Sequence, residues 1–581
     1  MNLVRDPRGG RDFEYFSEDP LLSGVMAGAA VAGAQSRHVL TTVKHFALND
    51  QETNRRALDV HIGAAAARES DLFAFEIAIE RGHPGAVMCA YNLVQGVHAC
   101  ENSWLLGAVL KGDWRYSGFV MSDWGATHST VAAALAGLDQ ESGAQLDAHE
   151  FFGSPLAQAV AEGRAPQARL DDMARRILTS IYAAGLVDDP PGVDPAESAS
   201  AEQAALDVER EGAVLLRNQG LLPLAADTRS IAVIGAHADA GTLAGGGSSQ
   251  VAPRGGAAAK VQVDKDHAEI FDPSSPLAAI HEQFPRAQVV WDDGRDVERA
   301  AKVAAAAEVA IVFADQWMTE GADAVGIALP DDQDRLIDAV ARANSRTAVV
   351  LETGGPVAMP WLERTAAVIE AWYPGQRGGA AIAEILSGAV DPSGRLPVTF
   401  PASVAQLPHP ALAGDPPQSG ARNAADGRKF VAQYREGALV GYKWFAAQGE
   451  RPLYPFGFGL SYTRFALDDL SVRVDGERVQ AQATVTNVGE RAGAATPQFY
   501  IALPGGAGAA PRLVGWQRLE LQPGEARSVS VPLDPRLLAS FDEAARRWRV
   551  AAGTYALSAG FDVERRKLSA PVTIGAFDLP P

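Results

Sequence analysis

The chain has 581 residues, 47% hydrophobic and 21% charged, enough to bury sizeable cores in about three domains. Its 51 Lys and Arg against 71 Asp and Glu give a net charge of −20, which argues against a nucleic-acid or anionic-membrane surface. No apolar run approaches the ~18 residues of a membrane span, and two cysteines cannot make a disulfide-rich scaffold.

From residue 1 to about 185, strand-like runs alternate with helical patterns. The opening, Met1-Asn2-Leu3-Val4-Arg5-Asp6-Pro7, reads as the middle of a folded unit with no signal peptide. Gly10-Arg11-Asp12-Phe13-Glu14 then places an arginine in a turn. The predicted strands are Val39–Phe46, Leu58–Ile62, Ala86–Tyr91 and Phe119–Ser122. Between them, Leu72, Phe75 and Ile79 recur at spacings of three and four, which predicts a helix over Ala64–Arg81. Such alternation implies a parallel sheet or barrel, whose catalytic groups lie at the C-terminal ends of its strands.

Polar groups collect at those ends. Lys44-His45 closes the first strand, and a Lys beside a His can donate to adjacent sugar hydroxyls. Asn49-Asp50-Gln51-Glu52-Thr53-Asn54-Arg55 is a dense polar loop, the composition usual for a solvated one. Cys89 and Cys100 flank a strand, a turn and a return, so either a bridge or two buried thiols fits. The run Phe119–Ser122 ends abruptly at Asp123-Trp124, a carboxylate beside an aromatic platform. That pairing suits a sugar, whose C–H face packs on an aromatic while its hydroxyls seek charged partners.

Asp188-Asp189-Pro190-Pro191-Gly192 punctuates the chain, and a linker is expected over 189–204. A second α/β block is expected over 205–465, with strands Ile231–Ile234, Gln288–Trp291, Val309–Phe313, Ala348–Leu351 and Ala367–Ala371. Its Gly245-Gly246-Gly247-Ser248-Ser249 stretch could reach a neighbouring site or merely link elements. Thr319-Glu320-Gly321-Ala322-Asp323 puts an acid in a loop beyond a strand end. Tyr373-Pro374-Gly375-Gln376-Arg377-Gly378-Gly379 reads as a close-packed turn and helix start, since it lacks a nucleotide-binding glycine pattern. Beyond 466, period-two alternation such as Val479-Gln480-Ala481-Gln482-Ala483-Thr484-Val485 predicts an antiparallel β-sandwich over 466–581.

Several motifs, in order, resemble family 3 glycoside hydrolases of the β-glucosidase type. They are N-L-V-R-D-P-R-G-G-R-D-F-E-Y-F-S-E-D-P (2–20), K-H-F-A-L-N-D-Q-E-T-N-R (44–55), V-M-C-A-Y-N (87–92), F-V-M-S-D-W (119–124), T-E-G-A-D (319–323), Y-P-G-Q-R-G-G (373–379), P-S-G-R-L-P-V-T-F-P (392–401) and F-G-F-G-L-S-Y-T-R-F (456–465). The resemblance implies an α/β multidomain chain: a (β/α)8-type TIM barrel over 1–188, an α/β sandwich and a fibronectin type III-like domain. It implies Asp123 as nucleophile and Glu320 as general acid/base, with Arg11, Lys44, His45, Arg55 and Tyr91 lining the glycone subsite and Trp124 walling it. Some secreted relatives carry a similarly spaced cysteine pair, and a bridge would fit an oxidising compartment.

Retaining hydrolysis needs one ionised and one protonated carboxyl. The expectation is that Lys44, Arg55 and Arg11 depress Asp123, while Glu320 stays protonated in a drier position away from those cations. The expected activity is exo-acting β-glucosidase, with β-xylosidase or α-L-arabinofuranosidase activity and an inactive sugar-binding remnant as alternatives. An N-acetylglucosaminidase is disfavoured because no P-G-x-G follows Lys44-His45-Phe46. No cofactor or metal is expected, the partner is a β-glycoside substrate, and a homodimer is allowed. The family's upstream S-D-G-P-x-G segment is not present, Asp12 stands where Asn is usual, and Ala324 where Arg often follows. Because such barrels take about 250 residues, the first one or two β/α units are expected to be missing, from a parent expected to be periplasmic or secreted, with a cytoplasmic one as the alternative.

Overall fold

The computed structural model describes residues 1–147, 149–192, 198–263, 267–414, 429–505 and 510–581. In its first unit, strands Thr42–Phe46, Ala86–Cys89 and Phe119–Ser122 pair in parallel in that order, and Met121 forms a further parallel bridge to Gln140. Helices Pro20–Gln35, Asp71–Gly82 and Gln167–Ala183 accompany them, making the arc of a (β/α) barrel. Register aligns the strand ends. Phe46 lies opposite Cys89, and Cys89 opposite Ser122, so His45, Tyr91 and Asp123 emerge at one edge.

Two features of this unit differ from the sequence expectation. Leu58–His61 does not join the barrel sheet; it pairs in parallel with Phe430–Gln433 and Leu93–Val94 in a separate sheet. The predicted helix 64–81 breaks into Ala64–Glu69 and Asp71–Gly82 at Ser70, whose backbone is non-helical. There the Ser70 hydroxyl accepts from Arg5 and lies 2.7 Å from Ala66 O and 2.8 Å from Asp71 Oδ2, its single proton serving one of them at a time, a local competition that serine offers to helix geometry. Leu72, Phe75 and Ile79 still face the barrel core, as their spacing predicts.

Residues 193–197 of the expected linker and 415–428 of a Gly/Ala/Pro-rich stretch at about 402–430 lie outside the described residues; helix Ser198–Gly212 takes up 198–204 of the linker range, and 189–192 form no helix or strand. The second unit is a six-stranded sheet in the order Gln288–Asp292, Ser230–Ile234, Val309–Gln316, Thr347–Thr353, Ala367–Glu370, Val214–Asn218. All its pairings are parallel except the last. Residues alternate between its two faces: Ile231 and Val233 enter one core, Ala232 and Ile234 the other. Strands buried on both sides read as continuous apolar runs, which is how they appear in the sequence.

The third unit is a β-sandwich. Strand Arg478–Asn487 buries Val479, Ala481, Ala483 and Val485 and exposes the residues between or leaves them half-buried. Its core reaches back into the first unit, because Phe73 and Ile77 of helix Asp71–Gly82 belong to it, with Phe73 5.5 Å from Trp548 between ring centroids.

Cys89 and Cys100, eleven residues apart, form a disulfide. It ties the barrel strand Ala86–Cys89 to the short 3-10 helix Ala99–Glu101, beyond the hairpin Leu93–His98. Titration of the denatured, unreduced protein is expected to find no free thiol from these residues. A Cys89→Ala/Cys100→Ala double variant is expected to lose about 2–4 kcal/mol of stability, read by denaturant unfolding; wild-type stability in that variant would refute the bridge's contribution.

Candidate active site

Five of the predicted residues meet directly where the first two units touch. Asp123 follows the strand Phe119–Ser122, and its backbone N–H donates to Cys89 O at 3.2 Å, which fixes its position on the barrel edge. Its Oδ1 accepts from the Trp124 N–H at 2.8 Å. Its Oδ2 is buried, has no hydrogen-bond partner among the described residues, and lies 3.4 Å from His45 Nε2. That nitrogen is also 3.1 Å from Arg11 Nη1. Since arginine can only donate, His45 Nε2 accepts from it and cannot also give a proton to Asp123. Burial, reinforced by Arg11, Lys44 and the chain's amino group, pushes the His45 pKa well below its ordinary value, so the imidazole is neutral.

Arg11 reaches the other unit through the same nitrogen, 3.4 Å from Glu320 Oε1. Arg55 Nη2 donates to that oxygen at 2.8 Å, and the Ser248 N–H donates to Oε2 at 2.7 Å. His45 and Arg11 therefore bridge Asp123 to Glu320. The glycine-rich stretch is part of the site: a Cβ on Gly247 would lie 2.3 Å from Glu320 Cβ, so only glycine lets the backbone approach. Tyr373 staples the start of the acid loop, its hydroxyl donating to Gln316 O and accepting from Met318 N, both at 2.7 Å. Gly379 meets the Ser275 backbone, as a close-packed helix start requires.

The remaining predicted residues form the rim. Tyr91 donates to Trp124 O at 2.7 Å, and the Arg55 guanidinium lies 4.4 Å from its ring centroid. Trp124 is 53% exposed, an indole presented to solvent at the mouth. Lys44 is half-buried, and its charge acts on both Asp123 and His45.

The electrostatics correct the sequence expectation for both acids. Burial raises the Asp123 carboxyl above its ordinary value, and the Trp124 N–H, Arg55, Lys44 and Arg11 only offset part of that. Glu320 is not remote from the cations. Burial works to raise it, but Arg11, Arg55 and the Ser248 contacts together hold it far below the usual carboxylate range.

Sequence reasoning missed three supporting acids. Glu14 grips Arg11 with both oxygens, at 2.5 and 3.0 Å. Glu52 accepts from Arg55 Nη1 at 2.7 Å, and Asp323 accepts from backbone groups of the barrel unit. The Asn49–Arg55 loop, whose composition suits solvent, is buried throughout. Its signal was the density of bidentate groups; what they pair with lies in another unit. Cavities of about 540 Å³ beside Thr399 and Arg566 and about 480 Å³ beside Arg5 and Trp444 lie elsewhere. The chemistry, not volume, marks this site.

The glycosyl hydrolase family 3 N-terminal domain matches residues 1–180, its C-terminal domain residues 213–462, and a fibronectin type III-like domain residues 495–563. The chain belongs to glycosyl hydrolase family 3. As a family 3 hydrolase it is 35% identical to thermostable β-glucosidase B of Acetivibrio thermocellus, over 96% of this chain and 72% of that one. It is 34% identical to an exo-α-(1→6)-L-arabinopyranosidase of Bifidobacterium breve, over 99% and 74%. A β-glucosidase from Streptomyces venezuelae solved with D-glucose superposes with a TM-score of 0.88 at 33% identity, covering 99% of this chain and 87% of that one.

A buried carboxylate with an unpartnered oxygen is a stability cost that function tolerates. Asp123→Asn is therefore expected to stabilise the family 3 hydrolase at pH 7. Because the folded Asp123 carboxyl lies above its unfolded value, the wild type recovers that deficit as pH falls through the folded pKa. The gain in the variant should accordingly shrink on acidification. Thermal unfolding from pH 7 to pH 4 checks this, and a variant less stable than wild type at pH 7 would contradict it.

Proposed function

We propose that this hydrolase is a retaining, exo-acting β-glycosidase, with β-glucosides as its substrate class. The observation that carries the reading is Asp123 Oδ2, buried and unpartnered, joined through His45 and Arg11 to Glu320 on the facing unit. In the first step Asp123 Oδ2 attacks the anomeric carbon, the bond to the leaving oxygen breaks, and Glu320 supplies that oxygen's proton. In the second, Glu320 removes a proton from water, the water oxygen attacks the same carbon, and the Asp123 ester bond breaks. Lys44, His45, Arg11 and Arg55 supply donors for sugar hydroxyls, and Trp124 a face for the ring or aglycone.

With Arg11 and Arg55 in contact, Glu320 is held ionised and cannot serve as an acid. A glycone whose hydroxyls draw Arg11 and Arg55 away relieves that pairing and lets the carboxyl take up a proton. The first step thus waits on correct occupancy of the sugar subsite.

The β-glucosidases among the relatives favour glucose, and the arabinopyranosidases keep a pentose alternative open. The Cys89–Cys100 bridge supports an oxidising compartment for the protein. No helix among the described residues is long and apolar enough to cross a membrane.

The test is turnover of aryl β-D-glucoside, β-D-xyloside and α-L-arabinosides side by side. The glucoside should lead, and background rates on all of them would sink the reading. Asp123→Asn should fall to background while remaining folded. Glu320→Ala should lose about 10²- to 10⁴-fold on poor leaving groups but far less on 2,4-dinitrophenyl glucoside, with azide restoring rate by attacking the glycosyl-enzyme. A uniform loss without rescue would remove Glu320 from the acid/base role.

A further inference from the structure

We infer that Asp323 is a positioning residue: it latches the loop bearing Glu320 onto the barrel unit and thereby sets where the acid points. The inference rests on the acid/base reading of Glu320. Asp323 lies three residues beyond Glu320 in the same loop, which leaves the end of strand Val309–Gln316. Among the described residues its carboxylate forms no ion pair with an arginine, and Arg8 acts on it only at longer range. Oδ1 accepts from the Gly10 N–H at 2.9 Å and the Glu52 N–H at 3.0 Å, and Oδ2 accepts from the Thr53 N–H at 2.7 Å. These donors come from two separate segments of the barrel unit, the turn before Arg11 and the loop before Arg55. One side chain thus fixes the Glu320 loop against the backbone that carries both of its arginine partners.

The contact is reciprocal. The Gly321 N–H donates to Glu52 Oε2 at 2.7 Å, and the Ala324 N–H to Arg8 O at 2.8 Å. Gly10 packs so closely that a Cβ there would stand 2.0 Å from Ala322 O and 2.5 Å from Thr319 O. Glu320 is flanked on its C-terminal side by bonds that cross between units, while its own side chain makes the catalytic contacts. Backbone N–H groups aimed at a carboxylate give strong, directional bonds. An asparagine has the same shape, but its amide nitrogen would face an N–H donor, so at least one bond must be lost.

The experiment has two arms. In the first, amide exchange is followed by mass spectrometry with residue-level fragmentation. In the wild type the Gly10, Glu52 and Thr53 amides should exchange at least about 100-fold slower than free-loop amides. In Asp323→Asn all three should speed up together. Unprotected amides in the wild type, or unchanged rates in a folded variant, would overturn the latch whether or not any glycoside is hydrolysed.

In the second arm, kcat/KM of Asp323→Asn is measured on methyl β-glucoside, which needs a proton on its leaving group, and on 2,4-dinitrophenyl β-glucoside, which does not. A displaced acid should cost up to about 100-fold on the first and little on the second. In a Glu320→Ala background, Asp323→Asn should add no further loss on the first substrate. Equal losses on both substrates would mean a merely structural role and refute the positioning. Wild-type turnover of neither would refute the glycosidase reading instead, leaving the exchange arm to decide the latch.

Discussion

The site depends on a guanidinium shared across the contact between units. Arg55 donates through Nη1 to Glu52 on its own loop and through Nη2 to Glu320 on the α/β unit. Both bonds are largely withdrawn from water, where removing one partner of such a pair costs about 3–5 kcal/mol. The polar loop 49–55 is stable in a buried position because the second unit brings Glu320 and Asp323 to it. Docking and loop order are therefore one event.

Extended outward, the same logic gives an alternating chain of charge: Glu14, Arg11, Glu320, Arg55, Glu52. Each cation sits between two carboxylates, so a molecule of net charge −20 keeps its local cations paired. Asp123 stands at the edge of this chain and reaches it only through neutral His45. That separation explains how two carboxyls in one site come to differ so far in proton affinity. Glu320 has two guanidiniums in contact, whereas Asp123 has a backbone N–H and three cations at longer range.

What the sequence revealed follows from what is local. Strand ends announce themselves by an apolar run meeting a polar cluster, so His45, Asp123 and the Glu320 loop were legible, as was the alternation of Val479 to Val485. Pairings to remote chain were not. Leu58–His61 has the composition of a barrel strand, and only the arrival of Phe430–Gln433 beside it assigns it to another sheet. The order of the two pKa shifts was unreadable for the same reason: it turns on which carboxylate Arg11 and Arg55 touch, a fact of docking rather than of spacing. Burial of 49–55 likewise contradicts its own composition, because its partners Asp323 and Glu320 come from the facing unit.

The third unit, remote from the chemistry, bears on the same geometry through helix Asp71–Gly82 among its contacts with the first unit. Asp71–Gly82 turns Leu72, Phe75 and Ile79 to the barrel core and Phe73 and Ile77 to the sandwich core. Arg536 of the sandwich adds ion pairs to Glu76 and Glu80 on that helix, and its guanidinium lies 5.1 Å from the Phe73 ring centroid. At the helix start, Asp71 and the Ser70 hydroxyl hold Arg5, which also pairs with Glu436 just beyond strand Phe430–Gln433. Arg5 lies only six residues before Arg11. A buried cation held by the barrel helix and by the chain returning from the α/β unit therefore anchors the segment that delivers Arg11 to the site, and burying that helix on two sides makes the anchor rigid.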